Sequence, residues 1–296
     1  MDPLEWAATR VTPVGAPEVV SDEEWAKVWR LPIAGADVFV KQCHGRWQFE
    51  PALTAALSTR WPDRVVEVLA VDPHAARMVL TDAGTRVGEL GNPPELWEAV
   101  LPRYAELQQG EATHVDEHLR AGVLDLRTGT LPAAYESAVA EDLPLSGDAL
   151  ERLRAFVPAY AGLCAELAST GTGATVQHDD LHVNNLYRSP TGLRVVDWGD
   201  SSVAHPFFST VVTFRFLEER NGLAPGDPWF ARLRDAYLEP WGHGRTEEFA
   251  LAQRVGIFAH VTAWTIYRDA LDPAARPGFL EHFPSVLHRA LARIDR

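Results

Sequence analysis

The sequence predicts an α+β protein in two parts: a small antiparallel sheet carrying one helix over residues 1–85, and a larger, mainly helical part over residues 86–296. Three observations predict it. Residues 10 to about 85 are rich in β-branched and alternating apolar segments. After Asp82-Ala83-Gly84 the apolar spacing changes to three and four residues, as on helices. One polar-rich hairpin then interrupts the helices at 174–198. Clefts between two such parts are favoured ligand sites.

The elements follow in order. Residues 25–33, 37–43, 65–71 and 77–81 read as strands, and 50–57 as a helix that ends before the turn signal Trp61-Pro62-Asp63. Residues 94–109 and 148–169 carry helical spacing. In the second, Leu150, Leu153, Phe156, Val157, Tyr160, Leu163, Cys164 and Leu167 form a core-facing stripe, with Asp148 and Glu151 as N-cap and reciprocal partner. Two apolar runs flank Ser189-Pro190-Thr191-Gly192, the turn of the hairpin. Helices are expected again at 228–238, 247–271 and 279–294.

Composition narrows the function. Of 296 residues 46% are hydrophobic and 23% charged, ordinary globular values that argue against an extensively disordered or fibrous chain. The 27 basic and 41 acidic residues leave a net charge of −14, which disfavours nucleic acid and anionic membranes as partners. Cys43 and Cys164 make neither a CxxC pair nor a disulfide framework, which fits a reducing cytoplasm. The N-terminal MDPLEWAATRVTPVG lacks the pattern of a signal peptide, and residues 255–264, interrupted by His260, are too short to span a membrane. Lysine occurs only at positions 27 and 41, so a lysine inside a strand pattern stands out.

The chemistry concentrates around the hairpin, where His178-Asp179-Asp180-Leu181-His182-Val183-Asn184-Asn185 precedes it and Val195-Val196-Asp197-Trp198-Gly199-Asp200 closes it. In a tight loop Asp180 can take a proton from an attacking hydroxyl, while the amide oxygen of Asn185 suits magnesium. Asp197 offers a second hard oxygen, and Gly199 lets the backbone turn away. Phosphoryl transfer also needs a phosphate-contacting lysine. Lys41 fits, following Val38-Phe39-Val40 on a strand and held by a carboxylate such as Glu50 on the next helix, with Glu67 a competitor for that role.

HDDLHVNN followed by VVDWGD resembles the aminoglycoside phosphotransferase and choline kinase superfamily, relatives of the protein kinases that share an HxDxxxxN loop and a DxG metal motif. The resemblance implies a bilobal protein-kinase-like fold: a nucleotide-binding lobe at 1–85 and a helical lobe at 86–296 bearing catalytic loop and acceptor site. Asp180 would be the catalytic base, Asn185 and Asp197 would bind Mg2+, and Lys41, paired with Glu50, would contact the phosphates of ATP or GTP. Phe39 would lie against the base, and the backbone of Thr81-Asp82-Ala83 would meet its edge. His178 would brace the loop. Asp200, His182 and Asp269 are possible substrate contacts, the last on a helical pattern with Trp264, Tyr267 and Arg268.

The sequence departs from the family pattern at three places. The turn expected to cover the nucleotide is Ser21-Asp22-Glu23-Glu24, acidic and without glycine; Asp179 stands where glycine is common; His205 replaces an acidic residue before Pro206. The expected activity is transfer of the γ-phosphate to a small-molecule hydroxyl, and the acidic excess favours a cationic acceptor: an aminoglycoside, amino sugar or choline-like molecule. The rival is a nucleotide-binding pseudokinase or regulatory protein. A transition-metal hydrolase built on His178, Asp179, Asp180 and His182 would leave Asn185, the DWGD strand and Lys41 without roles, and a kinase of protein hydroxyls would need an extended peptide groove, whereas the sequence shows no recognisable activation segment between DWGD and the following helices.

Overall fold

The computed structural model describes residues 1–190, 192–274, 276 and 281–294. Helix α1 (Pro3–Ala8) opens on Asp2, whose Oδ1 accepts from Leu4 N at 2.8 Å. Strands β1 (Glu18–Asp22), β2 (Ala26–Ile33) and β3 (Ala36–Cys43) follow, then α2 (Glu50–Arg60), β4 (Val68–Asp72) and β5 (Arg77–Thr81). The five strands form one antiparallel sheet in the order β1-β2-β3-β5-β4. Alternation along β3 divides its work. Val38 and Val40 bury with Trp6, Leu31 and Val79 in a small core under α1, while Phe39 and Lys41 point to the opposite face.

Three expectations in this part change. Ser21 and Asp22 belong to β1 rather than to a turn, so the turn shrinks to the residues between β1 and β2. The fourth strand starts at Val68, because Val65 instead makes an isolated parallel bridge to Val195. Neither β1 nor α1 was foreseen.

The chain continues through β6 (Thr85–Arg86), α3 (Pro94–Glu111), α4 (Val115–Ala121), β7 (Leu124–Leu126) and α5 (Leu131–Ala140). Next come α6 (Gly147–Ala155) and α7 (Val157–Ser169). The single helix expected over 148–169 therefore breaks at Phe156, where Pro158 in the first turn of α7 has no N–H to continue the ladder. The cap position is Ser146, not Asp148, which lies in the first turn of α6 and acts there only through its charge. Strands β8 (Thr175–Gln177), β9 (Leu186–Ser189), β10 (Gly192–Val195) and β11 (Ser202–Ala204) precede α8 (Thr210–Asn221), α9 (Pro228–Leu238) and α10 (Thr246–Ala270). A C-terminal helix, Phe283–Ile294, closes the chain. It starts later than expected, and residues 279 and 280 lie outside the described residues, as does Thr191 of the hairpin turn.

Two small sheets frame the polar loops. The hairpin β9–β10 pairs with β6, and β11 lies between β7 and β8. Residues 178–185 therefore run from the end of β8 to the start of β9, anchored at each end by a sheet. The sheet part is anchored to the helices by a buried carboxylate: Glu111 of α3 accepts from Arg60 (2.8 and 2.7 Å), Trp61 Nε1 (2.6 Å) and His118 (2.9 Å). Burial alone would raise its pKa; these donors outweigh it and push it down to about 2.

Candidate functional site

Lys41 leaves β3 into the cleft and finds two carboxylates. Its Nζ donates to Glu50 Oε1 and to Asp197 Oδ1, both at 2.7 Å. Lys41 is 7% and Glu50 1% exposed, whereas Asp197 opens to solvent. Burial works against the ammonium, but Asp197 and Glu50 outweigh it and hold its pKa well above the ordinary lysine value. Burial raises the Glu50 pKa against the opposing pull of Lys41, and Lys41 lowers that of Asp197. The Cys43 thiol donates to Glu50 Oε2 at 3.3 Å, so both carboxylate oxygens are held. Glu67, the competing carboxylate, is exposed and offers its carbonyl to Thr81 N.

Gly199 is closely approached by side chains. A Cβ there would stand 3.0 Å from Glu50 Oε2 and 3.2 Å from Trp47 Cδ1. Asp197 itself takes a left-handed conformation, φ 64, as does Asp179, φ 57. Aspartate tolerates this region better than most residues because its short side chain bonds locally. The Asp179 carboxylate is held by a tertiary contact instead, accepting from Ser202 Oγ. Burial pushes its carboxyl up to about 7.

The loop before β9 is built around Asp180. His178 Nε2 donates to the Val196 carbonyl at 2.9 Å, and its Nδ1 accepts from Asp180 N at 3.3 Å. Burial lowers the His178 pKa, which keeps the ring neutral in this role. Asp180 Oδ2 accepts from Asn185 Nδ2 at 3.0 Å and from His182 Nε2 at 3.1 Å; Asn185 Nδ2 also reaches the Asp180 carbonyl at 2.9 Å. His182 Nδ1 accepts from Asn184 N, and the ring stacks on Phe216 at 4.2 Å. Both nitrogens of both histidines are engaged, so neither is free to ligate a transition metal.

Two cavities adjoin at Trp25. One, of about 300 Å³, is lined by Phe39, Lys41, Glu50, Thr81, Ala83 and Asp197 among others. The other, of about 600 Å³, carries Asp180, Asp200, Asp179, Glu23 and Glu24. Its aromatic wall is Trp25, Trp264 and Tyr267, and Trp25 borders both cavities. Asp200 accepts from Trp47 Nε1 at 3.2 Å and its carbonyl from the Tyr267 hydroxyl at 2.7 Å. Burial, with Asp180 and Asp197 nearby, pushes its carboxyl up to about 8.

Two of the possible substrate contacts lie elsewhere. Asp269 is exposed and paired with Arg268 at 2.7 Å, because it sits on the far side of α10 from Trp264 and Tyr267. His182 braces Asp180 and does not line the larger cavity. His205 is a brace as well, bonded to Glu248 at 3.3 Å and accepting from Phe207 N. The sequence reading missed Arg215 and His260 as cavity residues and placed Glu23 and Glu24 over the nucleotide, whereas both line the larger cavity. No spacing signal could have shown this, since these residues come from three distant segments.

The model of the phosphotransferase enzyme family, APH, matches residues 47–249, more than half of the chain. A search of curated proteins gives no match. Among solved structures, choline kinase LicA from Streptococcus pneumoniae is similar with a TM-score of 0.61 at 15% identity, covering 97% of this chain and 98% of that one. A complex of APH(2")-IIia with GDP and kanamycin has a TM-score of 0.67 at 12% identity, covering 98% and 99%. Plasmodium vivax ethanolamine kinase has a TM-score of 0.66 at 10% identity, covering 97% and 86%. These likenesses show a bilobal kinase-like fold. Taken with the family match, the chain belongs to the phosphotransferase enzyme family and is a phosphotransferase.

Proposed function

We propose that the protein transfers the γ-phosphoryl group of ATP or GTP, with Mg2+, to a hydroxyl of an amine-bearing small molecule of the choline, amino-sugar or aminoglycoside class. The observation that carries this reading is the arrangement of Lys41 and Asp180. Lys41, fixed by Glu50 and Asp197, lies in the smaller cavity, and Asp180, from the loop that holds Asn185, faces the larger one.

The smaller cavity is the nucleotide site. Phe39 gives the base an apolar face, the backbone at Thr81 and Ala83 its edge, and Lys41 meets the phosphates. The donor set suits magnesium: with Asn185 Nδ2 bound to Asp180 and Asp197 Oδ1 to Lys41, Asn185 Oδ1 and Asp197 Oδ2 remain as two hard oxygens. Asn185 and Asp197 would hold magnesium there, and the chemistry it would supply is neutralisation of charge on the phosphate oxygens during transfer. Two donors on Asp180 Oδ2 orient the carboxylate, and Oδ1 has no hydrogen-bond partner among the described residues. Oδ1 takes the proton as the acceptor oxygen bonds to phosphorus and the bond to the leaving diphosphate breaks. His182 and Asn185 hold the base; they do not touch the acceptor.

The larger cavity is the acceptor site. Glu23 and Glu24 supply carboxylates for an amine, Asp200 a carboxyl that can hydrogen-bond it, and Trp25, Trp264 and Tyr267 aromatic faces for a cation. The free buried cysteines support a reducing compartment, the cytoplasm; no helix among the described residues is long and apolar enough to cross a membrane. The test is nucleotide-diphosphate release with MgATP and MgGTP across choline analogues, amino sugars and aminoglycosides. Acceptor-dependent release is expected. Thermal stabilisation by both nucleotides without release for any acceptor would support a pseudokinase instead.

A further inference from the structure

A second chamber of about 510 Å³ lies beyond the acceptor cavity, and Arg215 and His260 line both. Arg215 Nε and His260 Nε2 are shielded from solvent, and neither has a hydrogen-bond partner among the described residues. Burial pushes His260 down to about 3, so it brings hydrogen-bonding capacity without charge. Arg215 is therefore a cation in the wall shared by the two cavities. Its guanidinium rests on Phe216 at 5.2 Å and makes no salt bridge among the described residues. Arg289, beyond it, is already paired with Glu218 and Glu219.

Burial pushes the Arg215 pKa down, and Glu219 and Asp180 oppose this only through their charge, without a direct ion pair; an anion would offset the remaining desolvation cost through charge-assisted hydrogen bonds. The acceptor cavity also carries an acidic wall, Glu23 and Glu24. Resting on the phosphotransferase reading above, we propose that the acceptor is dipolar: its hydroxyl meets Asp180, its cationic part the acidic wall, and a carboxylate or phosphoryl group docks on Arg215. Arg215 is then a specificity-determining residue that favours dipolar over purely cationic members of that amine-bearing class, and the chamber that it also lines gives the anionic end room to extend.

The test uses the full chain saturated with a non-hydrolysable MgATP analogue and matched sets of hydroxylated amines: the neutral-tailed parent, its carboxylate and its phosphomonoester. Thermal stabilisation is the readout. An anionic member should stabilise the wild type more than its parent, and whichever does so more strongly identifies the anion. Arg215→Met should abolish the difference and weaken binding about 10- to 100-fold, with Arg215→Lys recovering part of it. For any member that turns over, KM should rise by that factor while kcat stays within about threefold. Equal stabilisation by parent and anionic members, including none by either, overturns the proposal and needs no variant. Stabilisation by nucleotide alone is scored separately, and its absence counts against the phosphotransferase reading.

Discussion

Replacing Lys41 with methionine exposes how strongly the cleft depends on one buried ammonium. Glu50 is 1% exposed and Lys41 7%, so the variant strands a carboxylate that only the Cys43 thiol still contacts. Removing one partner of a buried pair costs about 3–5 kcal/mol, or roughly 5–15 °C in Tm for a chain of this size. The loss should depend on pH. Burial already raises the Glu50 pKa, and without Lys41 it rises further, so the stranded carboxyl escapes its cost by holding a proton. A carboxyl whose folded-state pKa exceeds its unfolded value of about 4.3 destabilises the fold as pH climbs above that value. Lys41→Met should therefore lose least near pH 5 and most near pH 8. Glu50→Gln added to it should recover most of the deficit, giving a coupling energy of about 2 kcal/mol or more. Urea unfolding followed by tryptophan fluorescence measures both. A Lys41→Met deficit under about 1 kcal/mol at pH 8, or strict additivity in the double variant, would refute the reasoning.

Asp180→Asn should lower kcat by about 10²- to 10⁴-fold while nucleotide still raises Tm, as coupled turnover and thermal shift would record. Asp179→Asn keeps the left-handed conformation and the Ser202 contact but removes a carboxyl pushed up to about 7. Its Tm advantage over the wild type should grow from pH 4 to pH 7 and then level off; a constant difference across that range would contradict the assignment. Gly199→Ala drives a methyl against Glu50 Oε2 and should cost about 1–3 kcal/mol and raise the nucleotide KM, read by denaturation and initial rates. Glu23→Gln with Glu24→Gln should raise KM for a cationic acceptor several-fold and flatten its dependence on salt, measured as initial rates across ionic strength.

How legible this was varies with the kind of signal. The strand of Lys41 could be read because its apolar residues alternate over a full strand, and the catalytic loop because eight polar-rich residues sit against a hairpin. Elements that bury little were invisible: β1 is largely exposed, and β7 and β11 are three residues long, too short for any period to register. Helix α8 begins Thr-Val-Val-Thr, a strand-like run that tertiary packing makes helical. Pro158 carried the information that split the helix at Phe156, yet the continuous apolar stripe spoke louder. On α10, Trp264 and Tyr267 share a face through three-residue spacing while Asp269 is turned away, so helix geometry could have separated them. The acceptor cavity was beyond reach. Glu23, Asp180, Arg215 and Trp264 meet only because the sheet turn, the catalytic loop, α8 and α10 converge, and no local pattern encodes that convergence.

The most direct measurement follows the terminal phosphate itself. Nucleotide labelled at the γ-phosphorus is mixed with magnesium, the protein and an amine-bearing hydroxyl acceptor, and the label is traced in the products. The account predicts label on the acceptor oxygen with wild-type protein and almost none with Asp180→Asn. Label transferred equally well by Asp180→Asn would remove the base from the mechanism, and a protein that neither binds MgATP or MgGTP nor transfers label to any acceptor would contradict the central claim.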